Sequence, residues 1–95
     1  MTLTWSPEAL QDLRDIHAFI SQDDPGAAKI IVTRIVTLVR EQLPTNPQGG
    51  RIGRVPGTRE LVISGTPFVV PYRARNGQID ILRVYHGARM WPESF

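Results

Sequence analysis

Asn76-Gly77 lies between two runs of strand-forming residues and constrains this chain more than any other pair. A two-residue loop of that composition suits a type I′ hairpin turn, because both residues tolerate positive φ. It predicts a hairpin of Phe68–Arg75 with Gln78–His86 and fixes the register. Arg75 faces Gln78, Ala74 faces Ile79, Arg73 faces Asp80, Tyr72 faces Ile81 and Pro71 faces Leu82. One face then carries Phe68, Val70, Tyr72, Ala74, Ile79, Ile81, Arg83 and Tyr85. The other carries Val69, Pro71, Arg73, Arg75, Asp80, Leu82, Val84 and His86. Neither face is cleanly polar, so alternation alone does not say which one meets the rest of the chain. Thr58–Ile63 precedes the hairpin as another strand, joined to it by the turn SGTP (64–67). The last third is thus read as three consecutive antiparallel strands.

The first half has the other period. Thr2 to Trp5 is a short strand candidate, and Ser6-Pro7-Glu8 then reads as a helix start. Serine caps, proline suits the first helical position, and an acid favours the positive end of the dipole. Leu10, Leu13, Ile16, His17, Phe19 and Ile20 follow at helical spacing, which makes His17 a packing residue and puts Asp12, Asp15, Asp23 and Asp24 on solvated positions. Asp24-Pro25 repeats the cap-and-proline signal after a very short connection. Residues 25–42 are rich in β-branched side chains, yet a run this long without a turn signal is long for a strand. Ala28, Ile31, Ile35, Leu38 and Val39 also fall on one helical stripe. A helical hairpin turned toward a sheet is the expectation. PTNPQGGRIGRVPG (44–57), with three prolines and four glycines, is read as a loop from which Arg51 and Arg54 project. The predicted architecture is α+β, in the order β-α-α-β-β-β, with the helical hairpin on a small antiparallel sheet and residues 1–95 forming one domain.

Composition narrows the function. With 41% hydrophobic and 21% charged residues the chain is of ordinary globular make-up. It has no cysteine, so disulfides and thiolate metal sites are excluded, and two histidines without clustered carboxylates make no metal site. MTLTWSPEAL lacks the features of a signal peptide, and no apolar run approaches a membrane span, so a cytoplasmic protein without membrane contact is expected. The charge is divided unevenly. Residues 1–50 balance to −2, whereas residues 51–95 carry seven arginines, no lysine and only three acids, a balance of +4. Arginine forks onto carboxylate or phosphate and stacks on rings, so the second half reads as a contact surface for an anionic partner.

Three constellations carry candidate chemistry. Arg73 and Asp80, opposed across the hairpin, form either a cross-strand ion pair or an anion clamp. His86, just before Gly87-Ala88-Arg89, is either a structural residue or an acid–base group for a phosphodiester held by Arg89 or Arg73. Trp91-Pro92 is expected to fold back over the core edge, the alternative being an exposed anchor.

The segments WSPEALQDLRDI, GRVPGTREL, PYR, the Asn-Gly turn and IDILRVYHGAR, in this order and spacing, resemble the RelE/ParE superfamily of bacterial toxins. The resemblance spans nearly the whole chain. It implies a growth-inhibiting, plasmid-stabilising toxin silenced by a cognate antitoxin of a type II module, whose acidic amphipathic tail would lie across the hairpin and the basic half. Operator DNA would be reached only through that antitoxin, and no cofactor is implied. Two target classes exist in the superfamily: ribosome-bound mRNA, which is cleaved, and DNA gyrase, which is poisoned without hydrolysis. If the chain cleaves mRNA, Arg73, His86 and Arg89 are the implied catalytic residues. The ribonuclease branch commonly has an arginine where this chain has Val69, and a tyrosine beyond the final arginine, where this chain has Met90, Trp91 and Phe95. GRVPGTRE resembles the ParE side. The implied antitoxin- or target-binding residues are Arg51, Arg54, Arg59, Arg73, Arg83, Tyr85, Arg89 and Trp91. A degenerate member that binds only antitoxin is the third possibility that the resemblance leaves open.

Overall fold

The structure is a computed structural model that describes residues 2–95. Its first elements are β1 (Thr2–Trp5), α1 (Pro7–Ser21) and α2 (Pro25–Gln42). The Ser6 side chain caps α1 by accepting from the Ala9 amide, and Asp24 caps α2 by accepting from Ala27. Each cap satisfies an amide that the first helical turn leaves without an internal partner. The β-branched run of α2 is helical throughout. Ala28, Ile35 and Val39 are fully buried, with Ile31 and Leu38 packed beside them, because the stripe at helical spacing buries more apolar surface than a strand of that length would.

Five further strands follow: β2 (Arg51–Ile52), β3 (Arg59–Val62), β4 (Phe68–Arg75), β5 (Gln78–Ile81) and β6 (Tyr85–His86). The sheet order is β1-β5-β4-β3-β2, with β6 returning to β4. Asn76 and Gly77 both have positive φ, and the β4–β5 register is the one their turn dictates. The architecture is the expected α+β one, with two changes to the sheet. The segment read as a loop contributes β2, a two-residue edge strand paired with β3. β1 joins parallel to β5, so the sheet is mixed rather than wholly antiparallel. Val70, Tyr72, Ile79, Ile81, Leu61 and Ile63 form the inner face, which packs on Ala9, Leu13, Ile35 and Val39 of the helices.

The last strand is not continuous. Tyr72 faces Ile81 and Val69 faces Tyr85, so three steps along β4 match four steps on the other side. The extra residue is a bulge between Leu82 and Tyr85. It reverses the expected faces: Val84 enters the core, and Tyr85 turns to the outer side of the sheet, opposite Val69.

Two helix assignments are corrected. His17 and Phe19 are exposed, because α1 is rotated to bury Ala9, Asp12 and Leu13. Asp12 is therefore not solvated. Its carboxylate accepts from Arg83 Nε and Nη2, at 2.8 and 2.9 Å, and from the Val84 amide at 2.9 Å. That amide is the donor the bulge removes from the ladder. Asp12 thus closes the bulge against the helix.

Candidate functional site

The bulge leaves Tyr85 on the outer face of the sheet, and the chain beyond β6 folds back around it. The Gly87 amide donates to Pro67 O at 2.8 Å and the Arg89 amide to His86 O at 3.0 Å. Trp91 packs edge-on against Tyr85, with ring centroids 5.1 Å apart, and Phe95 lies at 6.2 Å. The expectation that Trp91 folds back is therefore met. Its ring is roofed by Arg54, whose Cζ sits 3.8 Å from the ring centroid. Arg83 and Arg89 stack over Tyr85 at 4.8 and 4.6 Å. Guanidinium groups alternate with rings here, an arrangement whose worth rises as water is excluded.

Glu60 organises this rim from below. Its side chain is almost fully buried on β3, yet its partners are two exposed arginines. Arg51 donates to Oε1 from Nε (3.0 Å) and Nη2 (2.9 Å). Arg54 donates its backbone amide (2.8 Å) and Nε (3.2 Å) to Oε2, and Nη2 (3.3 Å) to Oε1. Arg51 and Arg54 thus do not project freely, as the loop reading expected, because a buried carboxylate requires hydrogen bonds on both oxygens. Burial pushes the Glu60 carboxyl upward. The Arg54 and Arg51 hydrogen bonds and the charge of Arg54 outweigh that and hold it below its ordinary value. The Arg83 guanidinium is pushed upward chiefly by its hydrogen bonds to Asp12, against burial.

A lowered folded-state value means that Glu60 adds stability above the unfolded carboxyl value of 4.5 and loses it as pH falls through the folded value. Melting temperature is expected to decline on acidification between about pH 5 and pH 3, and Glu60→Gln to flatten part of that decline. Thermal melts across this range test it; a decline of equal steepness in the variant would remove Glu60 from the account.

Of the other candidates, Arg73 borders the rim, lining a cavity with Arg83 and Phe95, whereas Arg59 and His86 lie apart from it. Arg59 turns inward and donates to the carbonyls of Gln48 and Gly50, so it braces the loop. Arg73 faces Asp80 in register, but Asp80 accepts from Gln78 Nε2 at 2.9 Å, and the ion pairs among the described residues are Arg51–Glu60, Arg54–Glu60 and Arg83–Asp12. His86 pairs with Phe68 at the far end of β4, five residues from Arg73. At strand rise that is roughly 16 Å along the strand. His86 Nδ1 accepts from the Ala88 amide, and its ring lies edge-on to Phe68. Arg73 and His86 therefore do not converge on one reacting atom, and Arg89 stacks over Tyr85, on the face of the sheet opposite the one His86 shares with Phe68. No group of three or more metal-ligating side chains occurs among the described residues, and no described helix is long and apolar enough to cross a membrane.

A second surface lies on α2. Lys29, Ile30, Thr33, Arg34, Thr37 and Leu38 line a groove of about 450 Å³, in which Ile30 is 68% exposed. Arg34 leaves α2 to hold the turn before β4, donating to Ser64 O at 2.8 Å and Ser64 Oγ at 3.1 Å. The groove combines an apolar floor with cations at its rim.

Asp12 and Glu60 escaped the sequence reading. The one available hint for Glu60 was an acid inside a short strand of otherwise buried type, preceded within nine residues by Arg51, Arg54 and Arg59.

Comparisons with known proteins agree with this architecture. Residues 3–91 match the family model described as ParE toxin of type II toxin–antitoxin system, parDE. The Sinorhizobium fredii protein named "Putative toxin Y4kP" is 42% identical over 91 residues, which cover 96% of this chain and 93% of that one. "Toxin RelE2" of Caulobacter vibrioides is 34% identical over 88 residues, covering 93% and 97%. Among solved structures, a chain of the chromosomal ParDE system from P. aeruginosa superposes with a TM-score of 0.78 at 34% identity, covering 90% of this chain and 95% of that one. The solution structure of HP0894 from Helicobacter pylori shares the fold, with a TM-score of 0.55 at 16% identity and coverage of 88% and 91%. The chain belongs to the ParE family of toxins of type II toxin–antitoxin systems.

Proposed function

We propose that this toxin arrests growth by binding DNA gyrase in the cytoplasm, with no bond chemistry of its own. The Arg51, Arg54, Arg83, Tyr85, Arg89 and Trp91 rim makes the contact. The observation that carries this reading is that His86 has neither proposed phosphate clamp on its own side: Arg73 stands five residues away along β4, and Arg89 stacks over Tyr85, on the face of the sheet opposite the His86–Phe68 pair. The rim instead offers rigid aromatic and arginine groups, the types that dominate binding energy at protein interfaces. The antitoxin seats an acidic amphipathic segment on the α2 groove, where Ile30 and Leu38 take its apolar side and Lys29 and Arg34 its carboxylates.

Supercoiling by purified gyrase and cleavage of ribosome-bound mRNA, assayed side by side with the purified toxin, test this. Inhibited supercoiling with intact mRNA is expected. Cleavage that disappears in His86→Ala or Arg89→Ala, with supercoiling unaffected, would establish the ribonuclease instead. Normal growth on induction without antitoxin would point to a chain that only binds its partner.

A further inference from the structure

The Glu60 carboxylate has a role beyond holding the sheet together. An ion pair buried for stability alone is replaceable by apolar side chains at little cost, because desolvation offsets most of its attraction. Here the carboxylate ties two arginines that are otherwise in solvent, and one of them continues outward. Arg54 Nη1 donates to Gly87 O at 3.3 Å while the same guanidinium covers Trp91 at 3.8 Å. The Trp91 indole N–H is buried without a hydrogen-bond partner, so stacking against Arg54 and Tyr85 is what fixes the ring. Between Arg89, stacked over Tyr85, and Trp91, under Arg54, stands Met90, which is 92% exposed. A fully solvated apolar side chain flanked by two anchored neighbours has the form of a presented contact rather than of a loose end.

We infer that Glu60 is a positioning residue for the toxin's target contact: through Arg54 it fixes the Gly87–Trp91 turn and so presents Arg89 and Met90 to an acidic and apolar protein surface. This rests on the reading that the rim meets the target. It adds that the toxic contact is preorganised from β3, and that it is separable from the antitoxin surface on α2.

Growth arrest on induction, calorimetric affinity for the cognate antitoxin and Trp91 fluorescence are measured for Glu60→Gln. Fluorescence is read in a Trp5→Phe background, which leaves one tryptophan. Glutamine keeps the size of the side chain but cannot hold both guanidinium groups by charge. Expected are a red-shifted Trp91 emission, antitoxin affinity equal to the parent, and a loss of growth-arrest potency of about tenfold. In a Trp91→Ala background, Glu60→Gln is expected to cause no further loss, since both act through one unit. Unchanged arrest, additive losses, or arrest and antitoxin binding failing together would each overturn the inference. Should Glu60→Gln fail to fold, Arg54→Lys carries the same expectations, because lysine keeps the charge but cannot fork and stack at once; full potency in that variant overturns the inference as well. Growth arrest is read independently of the target's identity, so a toxin that arrests growth without touching supercoiling would remove the gyrase reading and leave this one standing.

Discussion

Asp12→Ala is expected to destabilise the fold by about 3 kcal/mol, a cost typical of removing one partner from a buried charged pair. The Asp12 side chain is 10% exposed and accepts three hydrogen bonds, two from Arg83 and one from the Val84 amide. The Val84 amide is buried at the bulge, and stranding it costs about 1–3 kcal/mol. The Arg83 side chain is 28% exposed and rehydrates in part, so the ion-pair share is smaller than for a sealed pair. Asp12→Asn separates the two contributions. It keeps an acceptor for Val84 and loses the charge, and about half the destabilisation is expected. Urea denaturation of the three proteins measures it. A stability for Asp12→Ala within about 1 kcal/mol of the parent would show that the bulge is held by other means. Because Arg83 also stacks on Tyr85, the alanine variant is expected to loosen the rim along with the fold.

What could be read from the sequence was local. Asn76-Gly77 set the hairpin register because the turn's φ requirements are met by those two residues and few others. Ser6-Pro7 and Asp24-Pro25 located both helix starts through capping chemistry that involves only neighbouring residues. The bulge was hidden, since no glycine or proline marks residues 82–84. A one-residue slip reverses every side chain after it, and so Tyr85 was assigned to the wrong face. The parallel pairing of β1 with β5 joins residues more than 70 positions apart, and nothing in Thr2–Trp5 states its partner.

Charged residues show the same divide. Asp12 looked solvated because it falls with Asp15 off the apolar stripe of α1, and its partner Arg83 lies 71 residues away. Glu60 and Arg51 face each other only once β2 has paired with β3, within a segment whose prolines and glycines read as loop. The sequence shows that arginine is concentrated in the second half, but not how those arginines are engaged. Which arginines remain available was decided by those two acids: Asp12 engages Arg83, and Glu60 engages Arg51 and Arg54, while Arg59 is held by backbone carbonyls. Arg73, His86 and Arg89 were grouped because the resemblance implies arginines and a histidine for phosphodiester cleavage, and residue type says nothing of the distance between Arg73 and His86 along β4.

Gly50→Ala is expected to cost about 3 kcal/mol or more, toward the upper end of overpacking penalties. A methyl group there would lie 2.5 Å from Tyr72 Oη, 2.7 Å from Tyr72 Cε1 and 2.8 Å from the carbonyl oxygen of Glu60. None of these can retreat easily. Tyr72 is fully buried, and its hydroxyl donates to Pro47 O at 2.9 Å while accepting from the Gly50 amide at 2.9 Å. The Glu60 oxygen belongs to the backbone of a paired strand. Relief therefore requires β2 to move off β3, which breaks the Tyr72 hydrogen bonds and displaces Arg51 from Glu60. Gly26→Ala serves as the contrast. It lies in the first turn of α2, its new methyl would meet only Asp24 Oδ1 at 3.4 Å, and alanine is the better helix former by up to about 1 kcal/mol. Thermal denaturation is expected to place Gly26→Ala at or above the parent and Gly50→Ala far below it. Equal melting temperatures for Gly50→Ala and the parent would mean that the 44–50 loop yields where the packing says it cannot, and that the arginine rim is not braced through Tyr72.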